Sequence, residues 1–500
     1  MKRVVLPLLA LGLMTNVASA QHLRIGLAED PDILDPTLAR TFVGRIVFMG
    51  LCDKLVDIDK NLKLVPQLAT EWSWSEDQKS VTFKIRPNAR FHDGEKIDAE
   101  AVRFSLDRHL NMQGSFRKSE INVIKTIEAV DPMTVKVSMD APFAPLMAQF
   151  TDRAGMIVSP KAAKEAGPNF GAKPVCSGPY KFVERVQQDR IVLEKFKEHW
   201  NAAAHHVERV TYQPIVDGTV RLANLRSGQI DMLERLQATD VADVKKDSRL
   251  KFVSQTGLGY QGITINVANG ERGKTNVLAK DKRIRQAFEL SLDRDAINQV
   301  VFNGEFLPGN QWVPPNNPWY TKSVPSPKRD VAKAKELLKA AGVTNPSFTL
   351  MITPGNEPQQ VAQVIQSMAK EAGFDIKLQQ VEFATSLKTA QAGDFDAYQI
   401  GWSGRVDPDG NFTAFVACDG GQNDGRYCNK TVDSLLGETR STSNFEARAQ
   451  AYEKIAKILG DEMPRVYLYH PVWFWAMSPK VQGFEAVPDA LIRLAGIKLN

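Results

Sequence analysis

Two short loops contain polar residues of the types that bind ligands. The loop at residues 354–357 ends in Asn356 and Glu357, and the loop at residues 403–407 has Arg405 at its centre. A guanidinium group offers a planar fork of N–H donors that matches a carboxylate or a phosphate. These two loops are the candidate ligand site, provided that the fold brings them together.

Two other motifs resemble cofactor or metal sites but lack what those sites need. Residues 257–262 match GxGxxG, but a strand-like segment follows at 263–267. A dinucleotide site needs a helix there, with its N-terminus facing the pyrophosphate. Residues 407–411 resemble a calcium loop, but its twelfth position, where a bidentate Glu is required, is Cys418. We expect neither site and no cofactor.

Catalytic and metal-binding patterns are also missing from the sequence. It has no GxSxG, no HExxH and no supported Cys–His pair. The 7 histidines show no metal-ligand spacing. His205 and His206 are adjacent, and neighbours on a strand point to opposite faces. We expect a protein that is not an enzyme and has no metal site.

The elements around the two loops predict how they are positioned. Strand-like patterns at 348–353, 375–383 and 395–402 alternate with helix-like patterns at 358–372 and 386–392. This order predicts an α/β fold with a parallel, doubly wound sheet. Ligands of such sheets lie beyond the carboxyl ends of the strands. The two loops follow the first and the last of these strands, so they occupy that position.

The N-terminus has the three parts of a signal peptide. Lys2 and Arg3 supply positive charge, residues 4–14 are apolar but too short to span a bilayer, and 18–20 have the small-x-small cleavage pattern. The alternative is a short core helix. Cleavage after residue 20 would leave Gln21 first, which is not a cysteine, so we expect a periplasmic protein without a lipid anchor.

The four cysteines predict disulfide bonds, because an even count in an exported protein favours pairing. Cys418 and Cys428 bracket a Gly/Asn/Asp-rich stretch that can loop back, so we predict this bridge. A bridge between Cys52 and Cys176 follows by elimination. The alternative is that two of the thiols are buried and free.

Composition and charge exclude some classes of protein. The chain has 500 residues, of which 43% are apolar and 24% charged, as in ordinary globular proteins of several domains. The formal net charge is +5, and removing Lys2 and Arg3 leaves 5 − 2 = +3. Basic residues are scattered, so no nucleic-acid partner is expected.

The order of motifs along the chain resembles the peptide/opine/nickel family of ABC-importer solute-binding proteins, which includes dipeptide- and oligopeptide-binding proteins. The likeness covers essentially the whole chain after the signal peptide. The matching segments are 34–36, 51–56, 66–72, 81–94, 101–106, 177–182, 221–231, 283–288, 332–342 and 401–404.

The resemblance implies a two-lobed periplasmic binding protein fold with a hinge, a discontinuous first lobe and an extra side domain. Lobe 1 would combine residues 21–60, 177–261 and 470–500, with the side domain at 61–176. Lobe 2 would take residues 262–469. A solute would be enclosed between the lobes, and hinge closure would present it to the permease in the inner membrane.

The charges of the two loops depart from those of the dipeptide-binding relatives. The dipeptide-binding relatives look to carry an acidic residue just after the Gly-Trp-Ser/Thr-Gly motif, and this chain has Arg405 at that position. They also look to carry an Arg in the loop after the earlier strand, near the position of Asn356 and Glu357 in this chain. We therefore hypothesise an anionic or zwitterionic ligand held by Arg405, such as an opine-like or acidic conjugate. The alternative is that Arg405 pairs with Asp407 or Asp409 and meets no ligand.

Further candidate ligand contacts are aromatic or lie near the predicted site. They are Trp402, Ser403, Asp407, Tyr260, Thr41, Phe42 and Trp312.

The sequence thus predicts a monomeric binding protein that takes up a small-molecule or peptide ligand. The rivals are a dedicated dipeptide or oligopeptide binder, a periplasmic hydrolase, and a chaperone or sensory-receptor partner. A nickel or haem ligand, found in the family that the chain resembles, is not excluded, but no residue supports it.

Overall fold

The computed structural model describes residues 21–500, so the predicted signal peptide lies outside the described residues. The strands are β1 (His22–Leu27), β2 (Val56–Ile58), β3 (Leu64–Pro66), β4 (Ala69–Trp74), β5 (Ser80–Ile85), β6 (Ile124–Asp131), β7 (Thr134–Met139), β8 (Tyr180–Val186), β9 (Arg190–Lys195), β10 (Arg209–Pro214), β11 (Met232–Leu233), β12 (Lys251–Thr256), β13 (Tyr260–Ile265), β14 (Leu307–Pro308), β15 (Ser347–Ile352), β16 (Asp375–Gln380), β17 (Ala397–Trp402), β18 (Arg465–His470), β19 (Val472–Met477), β20 (Val481–Gln482) and β21 (Lys498–Leu499).

The helices connect these strands and cover the sheets. They are α1 (Phe42–Leu51), α2 (Ala99–Asn111), α3 (Lys118–Ile121), α4 (Leu146–Phe150), α5 (Pro160–Ala166), α6 (Gly218–Arg226), α7 (Val241–Lys246), α8 (Gly270–Thr275), α9 (Val277–Lys280), α10 (Lys282–Leu290), α11 (Arg294–Phe302), α12 (Val331–Ala340), α13 (Asn356–Glu371), α14 (Phe383–Ala392), α15 (Asp409–Val416), α16 (Lys430–Arg440) and α17 (Phe445–Glu462).

Three sheets organise the molecule. A seven-stranded sheet has the order β12-β19-β11-β1-β10-β9-β8, and a six-stranded sheet has the order β14-β18-β13-β17-β15-β16. A four-stranded sheet, β4-β5-β7-β6, is formed by a continuous part of the chain. The first two sheets are the centres of the two lobes of a periplasmic binding protein fold, and we refer to the lobes as lobe 1 and lobe 2. The four-stranded sheet belongs to the side domain.

The predicted strand–helix–strand unit of lobe 2 is present. In α13, Val361, Ile365 and Ala369 are buried against the sheet at helical spacing. Gly373, with φ +101°, follows the helix in a conformation that glycine adopts without strain. β15 pairs in parallel with both β16 and β17, but β17 pairs with β13 in antiparallel fashion, so the sheet is mixed.

The chain passes between the lobes at two adjacent places. β12 and β13 belong to different sheets and are joined by residues 257–259, while β18 and β19 are joined by Pro471. Gly257 N donates to Pro471 O at 3.2 Å. A Cβ on Gly259 would lie 1.8 Å from Trp402 O, so only glycine fits this crossing. The GxGxxG motif therefore marks a place where two backbone segments cross closely at the start of β13.

Sheet membership can be compared with the predicted domain limits. The chain enters the lobe 2 sheet at Tyr260, near the predicted start at 262, and leaves it after His470, near the predicted end at 469. The β2–β3 ribbon, which pairs Val56 with Pro66, crosses the predicted limit at 60/61. The domain limits themselves remain predictions.

Both predicted disulfide bonds are present. Cys418 bonds to Cys428, and Cys52 bonds to Cys176. Cys52 follows α1, so the second bridge ties lobe 1 to the end of the segment that forms the side domain.

Candidate binding cavity between the lobes

A cavity of about 220 Å³ lies between the two lobes, next to their crossing strands. Both lobes contribute to its wall. Lobe 1 supplies Ala28, Glu29, Phe42, Val216, Gly218, Arg221, Arg235, Leu236, Gln237, Val472, Trp473 and Phe474, while lobe 2 supplies Gln261, Phe306, Thr353, Pro354, Gly355, Asn356, Glu357, Pro358, Phe383, Gln399, Ile400, Gly401, Trp402, Ser403 and Tyr469, with Pro471 at the crossing.

Five of the ten predicted ligand contacts line this cavity. Asn356 and Glu357 come from the first turn of α13, Trp402 and Ser403 from the end of β17, and Phe42 from the start of α1. The strands β15 and β17 are parallel neighbours, which places the loops that follow them at the same edge of the sheet. The structure therefore brings the two candidate loops together.

Arg405 lies outside the cavity wall and is buried, with 6% of its surface exposed. Its Nε lies 2.8 Å from Asp152 Oδ2, and its guanidinium stacks on the Trp402 ring at 4.2 Å from the centroid. The predicted alternative partners are engaged elsewhere: Asp407 pairs with Arg448 and Asp409 with Arg440. Arg405 thus joins lobe 2 to the side domain.

The surroundings of Arg405 form an arginine cluster with more positive than negative groups. Its four buried cations are Arg45, Arg117, Arg153 and Arg405, and its two buried anions are Asp152 and Glu120. Several guanidinium nitrogens in it have no hydrogen-bond partner within residues 21–500, including Arg405 Nη2 and Arg45 Nε. Isolated positive charge is costly to bury, so this cluster favours a nearby negative group.

The pKa values in the arginine cluster reflect this excess. Burial, followed by repulsion from Arg45, lowers the pKa of Arg405 to about 9. Burial alone would raise the pKa of Asp152, but Arg405, Arg45 and Arg153 together hold it well below its usual value. Asp152 is therefore ionised, and one carboxylate is shared by three guanidinium groups.

Ser403 connects the arginine cluster to the cavity. Arg45 Nη1 donates to Ser403 Oγ at 2.9 Å, and Ser403 lines the cavity. A serine hydroxyl has one proton to donate as well as lone pairs that accept. Because Arg45 occupies a lone pair of Ser403, the hydroxyl proton is available to an acceptor in the cavity.

A second part of the cavity wall contains the Glu357 carboxylate. Glu357 is half-buried, and its one hydrogen bond within the described part of the chain is from Ala238 N to Oε1 at 3.4 Å. Burial raises the pKa of the Glu357 carboxyl above its usual value. Among the described residues, this carboxylate forms no ion pair.

Four charged residues of lobe 1 beside Glu357 were not predicted from the sequence. Arg235 pairs with Glu29 at 2.8 Å and with Glu234 at 2.7 Å. Arg221 donates to backbone oxygens, including Arg235 O at 2.8 Å. These arginines are already occupied by protein acceptors. Arg221 opens the matching segment 221–231, but neither arginine was assigned a place in the binding site from the sequence, because both come from parts of the chain far from the two loops.

Three other residues predicted to contact the ligand instead have structural roles away from the cavity. Tyr260 is buried in lobe 2 and its hydroxyl accepts from Arg465 Nη1 at 2.7 Å. Trp312 is buried and stacks on Phe412 at 4.2 Å between ring centroids. Thr41 caps α1 by accepting from Gly44 N. None of these three side chains, nor Asp407, belongs to the cavity wall.

Two further features of the described residues bear on the site. Residues 21–500 contain no group of three or more His, Cys, Asp or Glu side chains placed to hold a metal ion. No helix in the same range combines the length and the apolar character that are needed to cross a bilayer.

Comparisons with known proteins match this architecture. Residues 63–423 match the family described as bacterial extracellular solute-binding proteins, family 5 Middle. The glutathione-binding protein GsiB of Pectobacterium atrosepticum is 27% identical over 471 residues, covering 92% of this chain and 90% of that protein.

Two solved structures are similar over nearly the full length. The binding protein AgaA of A. tumefaciens R10, in complex with agropinic acid, is 26% identical with a TM-score of 0.87, covering 96% of this chain and 99% of that one. The periplasmic binding protein DppA of Helicobacter pylori, in complex with the peptide STSA, is 24% identical with a TM-score of 0.88, covering 96% and 98%.

Proposed function

Because this chain belongs to the family 5 bacterial extracellular solute-binding proteins, we propose that it captures a peptide-sized anionic or zwitterionic solute for an ABC importer. The solute occupies the cavity between the lobes and is handed to the permease in the inner membrane. The protein acts as a monomer and returns its solute unchanged, without a catalytic step.

The observation that carries this proposal is the arginine cluster behind the Ser403 wall. Four buried guanidinium groups face two carboxylates, and Arg45 donates directly to a hydroxyl that lines the cavity. An acidic group placed at Ser403 would accept the hydroxyl proton and reduce the excess of positive charge. Charge-assisted hydrogen bonds of this kind are about twice as strong as neutral ones.

The names of the relatives supply candidate solutes. GsiB is a glutathione-binding protein, and AgaA was solved with agropinic acid. Glutathione carries two carboxylates and one ammonium group, so it has both an acidic end for Ser403 and a cationic group. The competing candidate is a dipeptide or oligopeptide, as in the STSA complex of DppA.

The location of the protein is part of the proposal. Residues 1–20 act as a cleaved signal peptide, and the mature chain beginning at Gln21 resides in the periplasm without a lipid anchor. N-terminal sequencing of the protein from the periplasmic fraction tests this, and an uncleaved or lipid-modified terminus would contradict it.

The function is tested by mass spectrometry of whatever the gently purified protein releases on denaturation. We expect an acidic or zwitterionic small molecule, released unchanged. A mixture of unrelated short peptides would favour the dipeptide or oligopeptide alternative, and a hydrolysis product of an added solute would indicate a hydrolase.

A further inference from the structure

We propose that Glu357 binds an ammonium group of the solute, so that the cavity accepts a zwitterion in one orientation. This inference rests on the proposed function and deepens it, because it assigns a protein partner to the cationic group of the solute in the same cavity that Ser403 lines. The cationic group would lie at the N-terminal turn of α13 and the acidic group at the end of β17.

Glu357 has a carboxylate that the protein leaves without a cation. Its Oε1 accepts from Ala238 N at 3.4 Å, a long hydrogen bond. Its Oε2 has no partner among residues 21–500, yet it is not among the atoms sealed from solvent. An oxygen that remains accessible in a cavity wall is available to a ligand.

Two arginines and one aspartate lie near the Glu357 carboxylate. Arg221, Arg235 and Asp240 lie close enough to influence it. Arg235 is held by Glu29 and Glu234, and Arg221 by three backbone oxygens. Arg235 is therefore paired with carboxylates, while Arg221 is held by backbone oxygens and forms no ion pair with Glu357 among residues 21–500, so the Glu357 carboxylate has no direct cationic partner.

Gln399 holds the segment of chain that carries Glu357. It lines the same cavity, and its Nε2 donates to Pro358 O at 3.2 Å, next to Glu357 in the chain. Its Oε1 is buried and has no hydrogen-bond partner within the described residues. Because Gln399 Oε1 is sealed from solvent, the Glu357 carboxylate is the acceptor that we assign to the ammonium group, which has three donors and no acceptor.

The experiment combines a protein change with a matched ligand change. Binding of glutathione, N-acetylglutathione, Met-Leu and N-acetyl-Met-Leu is measured by calorimetry on the wild type and on Glu357→Gln. N-acetylation removes the ammonium charge and keeps the acidic groups. Glu438→Gln, at an exposed position of α16, is the control substitution on the same lobe.

We expect N-acetylation of the probe that binds to weaken wild-type affinity about 30-fold or more, as for other desolvated charge pairs. The same modification should cost Glu357→Gln about threefold or less, while Glu438→Gln behaves as the wild type. An equal loss in the wild type and in Glu357→Gln would overturn the assignment. Failure of the wild type to bind any of the four probes would contradict the proposed function and this inference with it.

A second measurement separates a binding role from a structural one. Because burial disfavours the ionised Glu357 in the free protein, Glu357→Gln should raise the melting temperature without ligand at pH 7. A group that stabilised the fold would lower it, so a lower melting temperature would contradict a binding role.

Discussion

The two charged regions beside the cavity, the arginine cluster and Glu357, differ in how their charges are paired. Behind Ser403, three arginines share Asp152, and the protein supplies the counter-ion even though positive charge remains in excess. At Glu357 the neighbouring arginines are occupied by other groups, and the carboxylate is left without an ion pair within the described residues. The arginine cluster is mainly a structural junction, while the Glu357 carboxylate is the group that we propose binds the solute.

A charged residue in a predicted binding loop therefore indicates a ligand contact only when its partners in the folded protein are known. Arg405 and Glu357 lie in two loops that look equivalent in the sequence. Arg405 is joined to Asp152 across the lobes and touches the cavity wall only through its stacking on Trp402. Glu357 reaches the cavity directly.

Asp152→Ala tests the junction and should have the largest effect on the comparison. It leaves Arg45, Arg153 and Arg405 without their shared carboxylate, and breaking a buried ion pair in this way costs about 3–5 kcal/mol. Urea unfolding measures the loss. Asp140→Ala is the control in the same domain, because its pair with Lys125 is exposed and is worth about 1 kcal/mol or less. Similar losses in both variants would contradict the role given to Asp152.

Arg405→Ala tests whether the arginine cluster also serves the solute. We expect glutathione affinity to fall about tenfold, because the variant loses one positive charge behind the cavity wall that attracts the acidic group of the solute without touching it. Arg448→Ala is the matched control, since Arg448 is a buried arginine of lobe 2 that pairs with Asp407 away from the cavity. Unchanged affinity in Arg405→Ala would remove Arg405 from the binding site.

Acidification should act on the Glu357 end alone. The pKa of Glu357 is raised by burial, so lowering the pH from about 7 to about 5 protonates part of this carboxylate and weakens its hold on an ammonium group. Titration calorimetry should show glutathione affinity falling a few-fold in the wild type and staying nearly flat in Glu357→Gln. Glu29, whose pKa is also raised by burial, is the other group to check, with Glu29→Gln. A slope that survives in Glu357→Gln would place the effect elsewhere.

Ser403→Ala should have a small effect on affinity. It removes the hydroxyl that accepts from Arg45 and faces the cavity, and one such hydrogen bond is worth about 0.5–1.5 kcal/mol. We expect glutathione affinity to fall about two- to tenfold, with little change in the affinity for a probe whose acidic group is amidated. Equal losses for both probes would mean that Ser403 does not meet the acid.

Several features could be predicted from the sequence because local patterns encode them. The alternation of strands and helices in lobe 2 placed the loops after β15 and β17 at one sheet edge, and the structure has them there. The Cys418–Cys428 bridge closes a short turn-rich segment, and Cys52–Cys176 followed as the remaining pair. The order of motifs identified the family, which the match over residues 63–423 confirms.

Other features depend on contacts between distant parts of the chain. The partner of Arg405 is Asp152, whereas the sequence suggested Asp407 or Asp409, which pair with Arg448 and Arg440. Trp312 and Tyr260 look like cleft aromatics, but their rings are buried in one apolar cluster of lobe 2. The sequence assigned no binding role to the charged residues of lobe 1 near Glu357, although Arg221 opens one of the matching segments.

The fold class, the disulfide pairs, the family and the two loops of the candidate site could all be predicted from the sequence. Periodicity, spacing and motif order are properties of residues that are near one another in the chain. Which charged side chains are paired with a counter-ion could be seen only in the folded protein. The strength and availability of a charged side chain depend on its burial and on counter-ions brought from other lobes. That is why Arg405, bound to Asp152, and Glu357, left open in the cavity wall, could be distinguished only after folding.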